Sequence, residues 1–230
     1  AGAGKTYTLN QYIHYLRARK VPVAITASTG IAATHMNGMT IHTWSGIGIK
    51  DSLDDDDLTW MFERKYLRDN LEKAEVLIID EVSMLHGKQL DMVNQVLKFF
   101  KQSSAPFGGL QVIVAGDFFQ LPPVSKNKET NREKFCFMSA AWQEAKQVRR
   151  ETIIDDYLGF LAKTRVKVRN PTDLADLVAK HISEVEGEPC NKATLLRNAR
   201  YKAKILTYQA RSLVPGAKAL NPRAVTDPTA

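Results

Sequence analysis

Two short segments of the sequence carry residue types that suit the chemistry of a nucleoside triphosphate. In the first, Gly2-Ala3-Gly4-Lys5-Thr6, glycines leave backbone N–H groups free to surround phosphates, the lysine can reach the terminal phosphates and the hydroxyl can bind Mg²⁺. The second, Val76-Leu77-Ile78-Ile79-Asp80-Glu81, ends an apolar run in two carboxylates, one suited to a metal and the other to a water molecule. Together they predict a site that hydrolyses a nucleoside triphosphate with Mg²⁺.

Each segment needs an element that positions it. Apolar residues follow the first segment at helical spacing, at Leu9, Ile13 and Leu16. A helix therefore begins at Lys5 and turns its positively polarised N-terminus towards the phosphates. The apolar residues before Asp80 indicate a buried strand, whose carboxyl end is where ligands bind in α/β sheets. Coincidence is the alternative, because the full phosphate-loop pattern needs an earlier glycine and the chain begins inside this motif.

A third segment adds a polar side chain beyond another strand. Val112-Ile113-Val114-Ala115-Gly116-Asp117 has the pattern of a buried strand and runs into Phe118-Phe119-Gln120-Leu121-Pro122-Pro123. Just past the strand end, the Gln120 amide is expected to contact the γ-phosphate and the attacking water. The other interpretation of Gln120 is a polar residue in a turn stiffened by proline.

Four segments in this order resemble the motifs of one family, the petite-integration-frequency (PIF) DNA helicases, in the superfamily that includes the RecD-like enzymes. Residues 116–123 resemble motif III of that family and residues 79–84 its motif II. Residues 23–33, Val-Ala-Ile-Thr-Ala-Ser-Thr-Gly-Ile-Ala-Ala, resemble motif Ia, and residues 38–44, Gly-Met-Thr-Ile-His-Thr-Trp, the motif after it. The resemblance extends from residue 1 to about residue 145.

This resemblance implies roles for individual residues. Residues 2–6 would hold the nucleotide, with Lys5 on the β- and γ-phosphates and Thr6 on the metal. Asp80 would hold Mg²⁺ through a water, Glu81 would orient or deprotonate the attacking water, and Gln120 would sense the γ-phosphate. Lys5, Glu81 and Gln120 would thus be the catalytic residues.

The same resemblance implies contact with single-stranded DNA. Thr29 and His42 fall in segments that lie along the strand in such helicases. Both follow predicted strands, where threonine and histidine are as often turn formers as DNA ligands, so both interpretations stay open.

By resemblance, the chain is the first motor domain of an ATP-dependent DNA helicase that acts in DNA repair, recombination or telomere maintenance. Its expected location is intracellular: the cytoplasm of a prokaryote, or the nucleus or mitochondrion of a eukaryote. One alternative is a DNA-binding or recombination-associated protein that uses ATP only as a switch, and another is an inactive remnant.

The predicted fold class is α/β, a RecA-like domain with a central parallel sheet over residues 1–147, truncated at its N-terminal edge. We expect strands over residues 23–26, 76–79 and 110–115, and helices over residues 5–19 and 88–101. The acidic run Asp54–Asp57 suits either a loop or a helix start, and the helix dipole favours a helix that continues to Leu71.

The composition of the chain limits the classes of protein to which it can belong. Of the 230 residues, 44% are hydrophobic, as in globular proteins, and the two cysteines lack the spacing of a metal site or a disulfide framework. No apolar run reaches the ~18 residues of a membrane span. The net charge of +7 falls mostly in residues 148–230, and a basic region beside a nucleotide motor suggests phosphate-backbone contact.

Residues 148–214 have a helical pattern that the resemblance does not cover. Asn191 is a suitable N-cap for a short helix carrying Lys192, Thr194 and Arg197, which indicates a helix-turn-helix that binds duplex DNA. We then expect three more cations to flank the phosphates: Arg200, Lys202 and Lys204. A plain helical bundle with a solvated basic surface accounts for the same pattern. The composition of residues 215–230 predicts a disordered tail.

No segment after residue 147 resembles a second RecA-like domain with an arginine finger. In two-domain motors that finger contributes about 10³–10⁵ in rate. We therefore expect no processive unwinding from residues 1–230 alone.

Overall fold

The structure is a computed structural model that describes residues 4–124, 129–164 and 171–212. Its contacts divide the chain into two compact units, residues 1–145 and 146–230. Each unit has a hydrophobic core of its own.

The first unit alternates helices with short strands. In chain order its elements are α1 (Lys5–Ala18), β1 (Val23–Ala27), α2 (Gly30–His35), β2 (Met39–Thr40), α3 (Ile41–Ser45), α4 (Asp55–Glu63), α5 (Lys65–Lys73), β3 (Val76–Asp80), α6 (Gly87–Phe100), β4 (Gln111–Val114), α7 (Asn131–Lys134) and the start of α8 (Ala140–Lys163). Single 3₁₀ turns lie at Val82–Met84, Pro106–Gly109 and Cys136–Met138.

The four strands form one parallel sheet in the order β2-β1-β3-β4, which confirms the predicted α/β class. Ala27 of β1 pairs with Asp80 of β3, and Ile79 of β3 pairs with Val114 of β4. This register places the carboxyl ends of β1, β3 and β4 at one edge of the sheet. The segments that follow these strands are therefore neighbours.

Helices cover both faces of the sheet, because successive side chains of a strand point to opposite faces. On one face, Leu77 and Ile79 of β3 belong to a core that includes Leu90 and Val93 of α6. On the other face, Val76 and Ile78 belong to a second core, to which α1 contributes Leu9, Ile13 and Leu16. Strand β3 is buried along its whole length, as its apolar run predicts.

The structure corrects two expectations for the first unit. Strand β4 is not buried: it is the last strand of the sheet among the described residues, and Val114 is 37% exposed because only β3 pairs with it. The helix expected from the acidic run to Leu71 is two helices, α4 and α5, separated at Arg64, whose ψ of 97° is not helical. The helix start itself is confirmed, since Asp54 caps α4 with its side chain.

The second unit is helical in its described residues. It contains the rest of α8, followed by α9 (Pro171–Glu186), α10 (Lys192–Arg197) and α11 (Ala199–Ser212). The predicted N-cap is confirmed, because the Asn191 side chain accepts a hydrogen bond of 3.0 Å from the Thr194 backbone N–H. Its core includes Ile154 and Leu158 of α8 and Val178 of α9.

Two more predictions concern the C-terminal tail and the absence of a membrane-spanning segment. The predicted tail, residues 215–230, lies outside the described residues. Among the described helices, none combines the length and the apolar composition that crossing a membrane requires.

Candidate nucleotide and DNA site

Asp80 and Glu81 lie where β3 ends, as the sequence predicts. The Asp80 residue is 4% exposed, and its Oδ1 accepts a hydrogen bond of 2.9 Å from the Glu81 N–H. Glu81 has a φ of 51° and a ψ of 41°, a left-handed conformation that few residues other than glycine adopt. Strained backbone of this kind is concentrated at functional sites.

Hydrogen bonds join the segments that follow β1, β3 and β4. The Ser28 N–H donates to the Asp80 carbonyl at 3.0 Å, and the Ser28 hydroxyl donates to the Glu81 carbonyl at 2.7 Å. On the other side, the Val82 N–H donates to the Ala115 carbonyl at 2.9 Å. Motif Ia, motif II and the residue directly before motif III are therefore joined by hydrogen bonds at one edge of the sheet.

Gly116 allows motif III to approach motif II this closely. A Cβ atom at position 116 would lie 3.0 Å from the Val82 backbone nitrogen, which is tighter than nearly all real contacts of a Cβ. A movement of either segment would therefore press on the other.

The phosphate-binding segment begins helix α1. Gly4 is its N-cap with a φ of 74°, and since glycine has no side chain, the first N–H groups of α1 receive no side-chain cap from it. Lys5 and Thr6 form the first turn, which contains no acidic residue. An anion is favoured at such a helix start. Gly2 and Ala3 lie outside the described residues.

The donor set fits Mg²⁺ bound together with a nucleotide. Within the described part of the chain, no group of three or more histidine, cysteine, aspartate or glutamate side chains could hold a metal ion. Mg²⁺ does not need such a group, because it keeps several waters and binds through one or two carboxylates and substrate phosphates. The Thr6 hydroxyl is exposed, and the Asp80 carboxylate ends its strand at the ligand-binding edge.

Gln120 lies in a tight turn beyond β4. Its N–H donates to the Asp117 carbonyl at 3.0 Å, and the Asp117 carboxylate accepts a hydrogen bond of 3.0 Å from the Phe119 N–H. The Gln120 side chain is exposed. The turn interpretation is thus confirmed for the backbone, and the side chain is accessible to a ligand.

Thr29 and His42 lie at the same edge of the sheet. Ala27 pairs with Thr40 of β2, and Thr29 and His42 each come two residues after one member of this pair. Thr29 is the N-cap of α2, and its hydroxyl accepts a hydrogen bond of 3.3 Å from the Ala32 N–H. His42 is half-buried in α3.

Sequence reasoning missed the role of Ser28 and the surroundings of Phe118. Ser28 is the side chain that links motif Ia to the backbone of Glu81. Phe118 makes edge-on ring contacts with Phe137 at 5.0 Å and with Trp142 at 6.0 Å between ring centroids. A serine directly after a strand is a detectable signal, whereas the ring contacts join residues far apart in the sequence.

The candidate DNA residues of the second unit are exposed on α10, but two are already engaged. Lys192 forms an ion pair of 3.1 Å with Asp176, and the Thr194 hydroxyl lies 3.1 Å from the capping oxygen of Asn191. Arg197 is exposed. Lys204 contacts both carboxylate oxygens of Asp155, at 2.8 and 2.6 Å. Lys204 was expected to flank a DNA phosphate, but it forms an ion pair with Asp155 instead. This pair joins α11 to α8.

Comparison with known proteins gives one consistent result. Residues 1–154 match the family model described as PIF1-like helicase. An ATP-dependent DNA helicase Pif1 of Psychrobacter is 69% identical over 145 residues, which are 63% of this chain and 22% of that protein. The ATP-dependent DNA helicase RRM3 of Saccharomyces cerevisiae is 44% identical over 149 residues, 64% of this chain and 21% of that protein.

Solved structures of Pif1 helicases also resemble this chain. The Pif1 helicase of Candida albicans has a TM-score of 0.56 at 32% identity and aligns with 68% of this chain and 38% of its own. A Bacteroides Pif1 helicase in complex with ADP-AlF3 and single-stranded DNA has a TM-score of 0.53 at 34% identity, over 63% of this chain and 34% of its own. The chain thus spans about a fifth of the first curated relatives and under half of these solved chains. Because the family model matches more than half of this chain, the chain belongs to the PIF1-like helicases.

Proposed function

We propose that residues 1–147 are the first motor domain of an ATP-dependent DNA helicase, in which ATP hydrolysis is coupled to binding of single-stranded DNA. The observation that carries this proposal is the junction at the sheet edge, where hydrogen bonds link Ser28 to the backbone of Asp80 and Glu81, and Val82 to Ala115. Relatives named ATP-dependent DNA helicases and a neighbour solved with ADP-AlF3 and single-stranded DNA support it.

Three residues hold the nucleotide and its metal in this proposal. Lys5 neutralises the β- and γ-phosphates, and the N–H groups at the start of α1 donate to the same oxygens. The Thr6 hydroxyl and, through a water, Asp80 would hold Mg²⁺, which would supply positive charge against the charge that develops during phosphoryl transfer. The hydrogen bond from the Glu81 N–H to one Asp80 carboxylate oxygen keeps this carboxylate in a fixed orientation.

Two residues act on the attacking water. Glu81, whose backbone is left-handed directly after β3, orients or deprotonates it. Gln120 contacts the γ-phosphate from the exposed turn after β4. Loss of the γ-phosphate would release this turn, and the contact between Gly116 and Val82 would pass the movement to motif II.

Single-stranded DNA lies across the segments that begin at Thr29 and His42. Thr29 directly follows Ser28, and Ser28 is hydrogen-bonded to the backbone of Glu81, so this segment connects the DNA to the nucleotide. A shift of Glu81 during hydrolysis would therefore move the segment that contacts the DNA.

ATP turnover with and without single-stranded oligothymidine tests the proposal. We expect turnover that rises when the DNA is added. Binding of ATP without turnover would instead support a nucleotide switch in a DNA-binding or recombination-associated protein, and no binding would support an inactive remnant. Lys5→Ala, which should weaken ATP binding, is the control for any turnover that is observed.

A tailed duplex tests whether the chain unwinds DNA. We expect no processive strand separation by residues 1–230, because two-domain motors grip the strand with each domain in turn. ATP-dependent separation would mean that the second unit takes the part of a second motor domain.

Duplex DNA is a second proposed partner, through residues 148–214. The specific observation is charge: no aspartate or glutamate occurs between Glu188 and Asp227, whereas both described helices in this interval carry lysine and arginine. Cations of this kind bind duplex DNA by releasing the counterions of its phosphates.

A further inference from the structure

Helix α10, on which the sequence places the DNA contacts, is poorly suited to enter a groove. It has six residues, and Leu195 in its middle is fully buried. Two of its three candidate side chains already have partners within the unit. Lys192 forms an ion pair with Asp176, and the Thr194 hydroxyl contacts the side-chain oxygen of Asn191, which caps the helix. Only Arg197 is left to reach outwards.

Helix α11 is longer and follows α10 directly. It has 14 residues, and the Asn198 side chain accepts a hydrogen bond of 3.0 Å from the Arg200 N–H at its start. Tyr201 and Ile205 anchor one side of α11 in the core of the unit. A helix that is anchored in the core on one side leaves its opposite side free to contact a partner, and an α-helix fits the major groove of DNA.

The outward face of α11 carries positive charge without neutralising acids. Helical spacing brings Lys202, Ala203 and Leu206 together on this face, and all three are exposed. Lys202 and Arg197 form no ion pair within the described part of the chain.

The other cations of α11 differ in how firmly they are held. The pair between Arg200 and Glu151 is long, at 3.4 Å, and the arginine side chain is 70% exposed, so water screens it strongly. Lys204, with 21% of its side chain exposed, stays with Asp155. Around the start of α11, the cations available to a polyanion are therefore Arg197, Arg200 and Lys202.

We propose that α11 is the helix that enters the major groove of duplex DNA, with Lys202 facing the base edges and Arg197 and Arg200 on the phosphates. An α-helix with its side chains is about 10–12 Å across, and the major groove is about 12 Å wide. Ala203 and Leu206 beside Lys202 would contact thymine methyl groups. This assignment rests on the proposed duplex contact of residues 148–214 and names the surface that makes it.

The test measures binding of the full chain, without nucleotide, to a blunt duplex of about 20 bp, roughly two helical turns, over a range of salt starting at ~50 mM. Arg197→Ala should weaken binding to all sequences and lower the log–log salt slope by about 0.9, the value of one phosphate contact. Lys202→Ala should weaken binding by about 5- to 150-fold on a preferred sequence and relax the consensus selected from randomised duplexes.

The matched control is Lys180→Ala. Lys180 is exposed on α9 of the same unit and has no ion pair among the described residues, so this change removes the same charge elsewhere. It should leave affinity and consensus as in the unchanged chain. Far-ultraviolet circular dichroism checks that all three variants keep their helices.

The outcomes separate the two proposals. If the unchanged chain does not bind the duplex even at ~50 mM salt, the duplex contact itself is wrong. If it binds, but Arg197→Ala and Lys202→Ala behave as Lys180→Ala does, the duplex contact stands and the assignment to α11 is overturned.

Discussion

The left-handed backbone of Glu81 leads to a prediction that separates stability from activity. Glu81 has a φ of 51° directly after the buried Asp80, and a glycine at this position would adopt the same conformation without strain. We predict that Glu81→Gly makes the first unit more stable while it removes ATP turnover.

The magnitude follows from the contacts. The hydrogen bonds of Glu81 to Asp80, Ser28 and Met84 all use its backbone atoms, so glycine keeps them. A left-handed residue costs about 1–2 kcal/mol, and glycine loses roughly 0.5–1 kcal/mol more in conformational entropy on folding. With values from the middle of both ranges, the gain is about 0.5–1 kcal/mol, which raises the melting temperature of a unit of this size by roughly 1–4 °C.

The assay is thermal unfolding followed by circular dichroism, together with ATP turnover. Gln102→Gly is the matched control, because Gln102 is exposed after α6 with a φ of 48° and lies away from the site. It should gain similar stability and keep full turnover. Glu81→Gln keeps the strain, so it should lose turnover with no gain in melting temperature.

One result would refute this reasoning. If Glu81→Gly lowered the melting temperature while Gln102→Gly raised it, the Glu81 side chain would stabilise the fold, and the strain at position 81 would not be a cost accepted for function.

Three further predictions concern the first unit. Leu77→Ala should destabilise it by about 2–5 kcal/mol in urea unfolding, since Leu77 is fully buried in β3; an unchanged midpoint would contradict the core described above. Burial raises the pKa of the Cys136 thiol to about 12, so below pH 10 Cys136 should resist iodoacetamide until the protein unfolds, whereas the half-buried Cys190 should react first, as mass spectrometry of labelled peptides would show. Gly116→Ala should push motif III away from Val82 and reduce turnover more than ATP binding; equal losses of both would speak against this coupling.

Much of the first unit could be predicted from local sequence. The helix from Lys5 and the buried strand before Asp80 both follow from apolar residues at a regular spacing, and the structure has both. The convergence of the motifs follows as well, because parallel strands bring their carboxyl ends to one edge.

Other features depend on contacts that a local pattern does not contain. The apolar run of β4 resembles a central strand, yet its exposure is set by how many strands pair with it. Nothing in the residues around Glu81 indicates its left-handed backbone. The same holds for Lys204, whose partner Asp155 is 49 positions away in the sequence and is brought close only by the packing of α11 on α8.

The central claim is that the start of α1 and the end of β3 form one nucleotide site with divided roles. Equilibrium binding of a fluorescent, slowly hydrolysed ATP analogue with Mg²⁺ to the unchanged chain, Lys5→Ala and Glu81→Gln tests it most directly. We predict that Lys5→Ala loses about tenfold or more in affinity, because a charged hydrogen-bonding group is removed, while Glu81→Gln binds as the unchanged chain does. Equal affinity of the unchanged chain and Lys5→Ala would contradict the claim.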